Sequence, residues 1–377
     1  MSFRCCIDLG QMIPAYDVVG RLCLFEHERV RRGESQIDIV IKPGPADGFR
    51  SPKFWPYTRE ACERMMQQVV IPICRLLPTV RSIIYLGDGP RQTQRLWCGA
   101  TRAAPSGCGW FSSVRRGAFD AVPVPIPPDA FSEIAATRDA FGLDGLPALG
   151  LADQIRSGVR PLRAHIMPPG GQYSDLVTIT LREAQHWPSR NSNVSEWIKA
   201  AVVLRRLGLR VVFVRDILKA GWPIPRTRDL EFDAGCLIDA AEGAPFETAP
   251  CASIDIPSRA YLYASARFNM GVNNGPMWLA AAMDLPTMIM RPLDDGPNLC
   301  KAGYFVRSGI PSQDGTIPGM PNVTIGWGTD SVENILRTFA QALDMCTPDL
   351  TEPDKFERFV MEGLVKPPLS AGIPPPS

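Results

Sequence analysis

The stretch ARFNMGVNNGPMWLAAAMDLPTMIM, Ala266 to Met290, decides the fold. Phe268 to Val272 is a short apolar run, suited to a strand buried on both faces. Asn273-Asn274-Gly275-Pro276 breaks it: Asn and Gly tolerate positive φ, Asn caps helices, and Pro fits a first helical turn. Met277 to Met283 is apolar and Ala-rich, a good helix former. Asp284-Leu285-Pro286 stops the helix, and Thr287 to Met290 begins another strand. A strand, turn, helix and strand this short and this apolar belong to an open parallel sheet. The turn falls at the carboxyl end of a strand, where such sheets bind ligands, and the helix start favours a phosphate or another anion. Asn273, Asn274, Gly275, Pro276 and Met277 are therefore candidate anion-binding residues, with Gly275 allowing close approach to the backbone. The same residues also read as a capped turn that serves folding alone.

Outward from this unit the rhythm repeats. Leu176 to Leu181 reads as a strand, Arg182 to Asn193 as a polar loop, Val194 to Leu207 as a helix capped by Asn193 or Ser195, and Arg210 to Val214 as a strand. Further elements are expected at Phe232 to Asp239 and Ser253 to Ala264. Leu293 to Val323 reads as loop, and Val332 to Met345 and Phe356 to Val365 as helices. In the first half, Arg4 to Leu9, Ile37 to Ile41 and Arg81 to Leu86 read as strands, alternating with helices at Asp17 to Arg32 and Arg59 to Leu77. Met167-Pro168-Pro169-Gly170-Gly171 is the linker candidate. The expected fold class is α/β: two Rossmann-like parallel-sheet domains, 1–167 and 168–346, facing each other across a cleft, with a helix and Pro-rich tail at 347–377.

Composition narrows the function classes. With 377 residues, 45% hydrophobic and a formal net charge of +1, the chain reads as a globular protein, not one held to nucleic acid by bulk charge. No apolar run reaches the roughly 18 residues that span a bilayer, and MSFRCCIDLGQMIPAYD does not read as an export signal. Eleven scattered cysteines without a CxxC pair read as reduced thiols of a cytoplasmic protein.

The loop from Leu181 to Asn193 is the second informative piece. Arg182 directly follows an apolar strand, where a guanidinium can fork onto phosphate oxygens, and Arg190 precedes the small polar run Asn191-Ser192-Asn193 at a helix start. With Glu183 and Asp216, these residues and the turn at Asn273 to Met277 form the candidate donor and phosphate site. Asp8, Asp47 and Asp88, at or near strand ends of the first half, are the candidate catalytic bases, with His186 as a further option. There is no DxD triplet, so no metal and no cofactor are expected; Asp294-Asp295 reads as an acidic loop.

The segment 266–290 resembles the donor-side motif of heptosyltransferase-like glycosyltransferases of the GT-B type, family 9, at Gly275, Pro276, Met277, Leu279, Ala280, Ala281, Ala282 and Pro286. It departs from that pattern at Asn273 and Asn274, where the family has aspartate and serine, and at Trp278, where it has histidine. Thr178-Ile179-Thr180-Leu181-Arg182-Glu183 and Arg190 to Asn193 are similar to that group's basic residue and polar loop. The resemblance implies a metal-independent transfer of a sugar from a nucleotide-activated donor to a glycan or lipid-linked acceptor, with peripheral membrane contact. A nucleotide-sugar epimerase, a pyruvyl-type transferase and an inactive nucleotide-sugar-binding protein share the same frame.

Overall fold

The computed structural model describes residues 2–50, 57–86, 93–98, 173–185, 187–220, 224, 246–291, 314–317 and 320–342. The chain divides into two compact units. The linker candidate, and the elements expected at Phe232 to Asp239 and Phe356 to Val365, lie outside the described residues.

The first unit holds β1 (Ser2–Asp8), α1 (Val18–Arg31), β2 (Gln36–Lys42), α2 (Arg59–Met65), α3 (Ile71–Leu76), β3 (Val80–Leu86) and β4 (Thr93–Cys98). A π-helical turn, Met66–Val70, joins α2 to α3. Strand order is β1-β2-β3-β4; the first three run parallel and β4 antiparallel. The Ile37 to Ile41 run is buried along its whole length, as a strand covered on both faces requires. Its one charge, Asp38, is matched by hydrogen bonds from Arg81 Nε (3.0 Å) and Ser82 Oγ (2.5 Å). β4 went unread in the sequence, because its six residues carry no clean alternation and it pairs only by folding back on β3.

The second unit holds β5 (Tyr173–Thr180), α4 (Val194–Arg206), β6 (Arg210–Val214), β7 (Glu247–Thr248), α5 (Pro250–Ile254), α6 (Ile256–Ser265), β8 (Ala266–Val272), α7 (Gly275–Ala282), β9 (Thr287–Arg291), β10 (Gly315–Ile317), β11 (Met320–Trp327) and α8 (Val332–Ala342). Its seven strands lie in the order β10-β11-β9-β8-β5-β6-β7, parallel except for β10. The period of two along β5 sorts the layers. Val177 and Ile179 join a core with Trp197 of α4, Phe268 of β8 and Phe339 of α8. Thr178 and Thr180 point the other way, Thr178 Oγ1 to Asn269 Oδ1 (2.7 Å) and Thr180 Oγ1 to the hydroxyl of Tyr263 on α6 (2.8 Å).

The segment expected as loop, Leu293 to Val323, contains β10 and the first part of β11. Pro321 and Gly326 hid β11, yet Gly326 is there because α8 packs on the strand. A Cβ at 326 would stand 2.7 Å from Thr338 Oγ1 and 2.6 Å from Met290 Sδ. No described helix is long and apolar enough to cross a membrane.

Candidate functional site

β5 and β8 are neighbours, but the chain leaves β5 toward β6 on one side and β8 toward β9 on the other. That reversal is a topological switch point, and the crevice at its carboxyl edge is the favoured ligand site of an open parallel sheet. The loop after Leu181 and the turn after Val272 therefore flank one crevice, as Thr180 pairs in register with Gly271. The strands approach closely here. A Cβ at Gly271 would lie 2.7 Å from the Thr180 carbonyl oxygen and 2.9 Å from Met277 Sδ, so only glycine fits.

The turn is a capped helix start. Asn274 is extended (φ −145°), and its Oδ1 accepts the Met277 backbone N–H at 3.0 Å. Asn273 Oδ1 accepts the indole N–H of Trp278, also at 3.0 Å, and Asn273 N–H donates to the Met290 carbonyl. Trp278 is buried, while Asn273, Asn274, Gly275 and Pro276 are half-buried, and Met277 is wholly buried in the core.

The facing loop is held by a polar web. Arg182 Nη1 donates to the Trp187 carbonyl (2.9 Å) and to Asn191 Oδ1 (2.5 Å). Asn191 Oδ1 also accepts the Ala184 N–H, and its Nδ2 returns a bond to the Ala184 carbonyl. Ser192 closes the ring with Arg182 through both Oγ and N–H. In this structure Arg182 Nη1 helps to fold the loop. Trp187 takes a left-handed backbone (φ 54°), and the Arg190 guanidinium lies 5.6 Å from its ring centroid. Arg190 Nη2 reaches across to donate to the Asn273 carbonyl at 3.3 Å, a bond between the two loops.

Glu183 is buried. It takes a bidentate pair from Arg215 (2.9 and 2.5 Å) and a bond from Lys219 Nζ (3.1 Å). Burial pulls its carboxyl upward, but the bonds from Arg215 and Lys219 outweigh this and hold it below the ordinary glutamate value. It anchors the β5 end to the β6 end. Asp216, half-buried, follows Arg215 at the start of the turn Ile217–Lys219. Asn193 does not cap α4 with its side chain; its Oδ1 accepts from Ser195 Oγ. Its backbone N–H instead donates to Asp330 Oδ2 (2.8 Å), which also accepts the Trp197 indole N–H (2.7 Å). Burial pushes the Asp330 carboxyl above its usual range, against the lowering effect of those two donors.

Arg215, Lys219 and Asp330 were missed in the sequence. Arg215 carried the same signal as Arg182, a guanidinium directly after an apolar strand. Asp330 sits 133 positions from Trp197, and no local pattern links them. In the first unit, Asp8 ends β1 with both oxygens engaged, by Gly10 N–H (2.9 Å) and Lys42 Nζ (3.1 Å). Asp47 is exposed in a tight loop at φ 48°, with Arg59 4.0 Å away. Asp88, His186, Asp294 and Asp295 lie outside the described residues.

The second unit is a mostly parallel α/β sheet in which the loops after β5 and β8 meet at the switch point. No family model and no curated protein matches the chain. Among solved structures it is similar to the E. coli heptosyltransferase WaaC with ADP, at 12% identity and TM-score 0.38 over 96% of this chain and 100% of that one. It is similar to a family 9 glycosyl transferase from Veillonella parvula at 12% identity and TM-score 0.38, covering 96% and 97% of the two chains. It is also similar to a UDP-N-acetylglucosamine 2-epimerase at 10% identity and TM-score 0.30, covering 97% and 94%. Overlaps of this size assign neither a family nor an activity; the chain's own residues must do so.

Proposed function

We propose that the second unit binds a nucleotide-activated sugar and that the chain is a glycosyltransferase. The observation that carries this reading is the pairing of the two loops at the β5–β8 switch point, fastened by Arg190 to the Asn273 carbonyl. Transfer of a sugar from a nucleotide requires that the departing diphosphate be stabilised as charge grows on it. The α7 start, the side-chain NH2 groups of Asn273 and Asn274 and the Arg190 guanidinium supply donors and positive potential at one place. The leaving-group charge is met by these groups without a metal. Asp8 is the proposed base; bonds from Lys42 Nζ and the Gly10 N–H orient its carboxylate at its strand end.

The test is calorimetry and thermal unfolding of the full chain with nucleoside diphosphates and nucleotide sugars. A ligand that binds only the folded state adds about 2.7 kcal/mol of stability at a hundredfold excess over Kd. Arg190→Ala removes the fastening and is expected to abolish most of the shift. Undiminished binding by that variant refutes the placement. Turnover of a nucleotide sugar with no acceptor beyond water, giving an isomerised sugar, identifies an epimerase instead.

A further inference from the structure

The starts of α4 and α8 cap each other. Asp330, in the turn between β11 and α8, is buried, and its Oδ2 accepts two N–H groups from the start of α4. In return, Glu196 Oε2 of α4 accepts the Val332 N–H of α8 (2.9 Å), while its Oε1 takes Lys199 Nζ (2.6 Å). The α8 start is further served by Ser331 Oγ, which accepts the Asn334 N–H at 3.4 Å. The turn that presents Asp330 is itself built. Gly328 takes a left-handed backbone (φ 99°), and Asn334 Nδ2 donates to the Thr329 carbonyl at 3.0 Å.

Burying a carboxylate costs free energy, so the place it is aimed at matters. β11 runs parallel to β9, β8 and β5, so Asp330 leaves the sheet at the same edge as Leu181. Its partner Asn193 ends the loop that carries Arg190. The bonds among Arg182, Asn191 and Ser192 close that loop on itself, and a loop closed on itself can still shift as a body. Asp330 ties its far end to another strand.

We propose that Asp330 is a positioning residue for the anion site: through the Asn193 N–H it sets where Arg190 stands at the switch point. The inference rests on the nucleotide reading above. Glu196 sits at the same joint but holds α8 to α4, and its removal leaves both Asp330 bonds in place. Stability and affinity therefore separate between the two carboxylates.

The experiment compares the full-length parent with Asp330→Ala, Asp330→Asn and Glu196→Ala, titrated with ADP and UDP by calorimetry and unfolded in urea. Both alanine variants lower the urea midpoint. Asp330→Ala alone loses affinity, by about tenfold, because its loop end is released. Asp330→Asn, whose side-chain oxygen accepts the same two N–H groups, restores binding to within about twofold of the parent. Hydrogen exchange on the parent needs no substitution. Linkage is reciprocal, so the bound diphosphate slows exchange at Asn193 and leaves Val332 unchanged. Given a parent that binds, full affinity in Asp330→Ala, or an equal loss in Glu196→Ala, overturns the inference and leaves the nucleotide reading standing. So does an Asp330→Asn chain that folds like the parent yet binds as weakly as Asp330→Ala. Exchange at Asn193 that the ligand does not alter overturns it as well, even if Asp330→Ala fails to fold. A parent that binds neither ADP nor UDP overturns both.

Discussion

The loop after β5 and the turn after β8 sit side by side at one sheet edge, but they are held in different ways. In the loop, Arg182, Asn191 and Ser192 bond mainly to one another and to loop carbonyls, and Glu183 is clamped by Arg215 and Lys219. In the turn, two oxygens are anchored and two NH2 groups are left facing away. The difference separates a segment closed on itself from one that is only capped. A charged residue next to a strand end is not thereby a ligand contact, because a buried guanidinium needs partners and takes them from its own loop.

This contrast can be broken at its strongest joint first. Arg215→Ala leaves Glu183 buried with only Lys219 beside it, and is expected to cost about 3–5 kcal/mol of unfolding free energy, read from the urea midpoint at unchanged slope. Asp330→Ala strands the Asn193 N–H and the Trp197 indole N–H and should cost about 2–4 kcal/mol, whereas Asp330→Asn, which can still accept both, should stay close to the parent. On the other side of the crevice, Asn274→Ala removes only a cap and should cost about 1 kcal/mol. Equal losses at Arg215 and Asn274 would erase the distinction between the two segments.

Proton linkage sharpens the same comparison with smaller effects. Glu183 sits below its unfolded value, so its contribution is present above about pH 4.3 and is lost as pH falls through the lower folded value. Asp330 sits above its unfolded value, so its contribution is present below about pH 3.9 and is lost as pH rises through the higher folded value. Stability measured against pH should therefore show Glu183→Gln closing on the parent in acid, and Asp330→Asn gaining on the parent as pH rises.

Much of the second unit was legible in its residues. Arg210 to Val214 matches its strand at both ends, and the Ala266 to Met290 unit folds as its apolar runs and its Asn-Asn-Gly-Pro break require. Strands β10 and β11 were not legible, because a strand marked by Pro321 and Gly326 is defined by its pairing with β9. At the site, the positions of the two loops followed from strand ends alone, but the division of labour within them did not. Arg182 and Arg190 look alike in sequence, and only the fold shows that one closes its own loop while the other crosses to Asn273. Asp330 was invisible because its partners come from a helix far back in the chain.

Gly271 gives the crevice a further property. The obstacle a side chain would meet there includes a neighbouring strand's carbonyl, which cannot swing aside as a lysine or methionine end can. One position therefore guards the spacing of β5 and β8: any L side chain at 271 would prise the two ladders apart at the end that carries both loops.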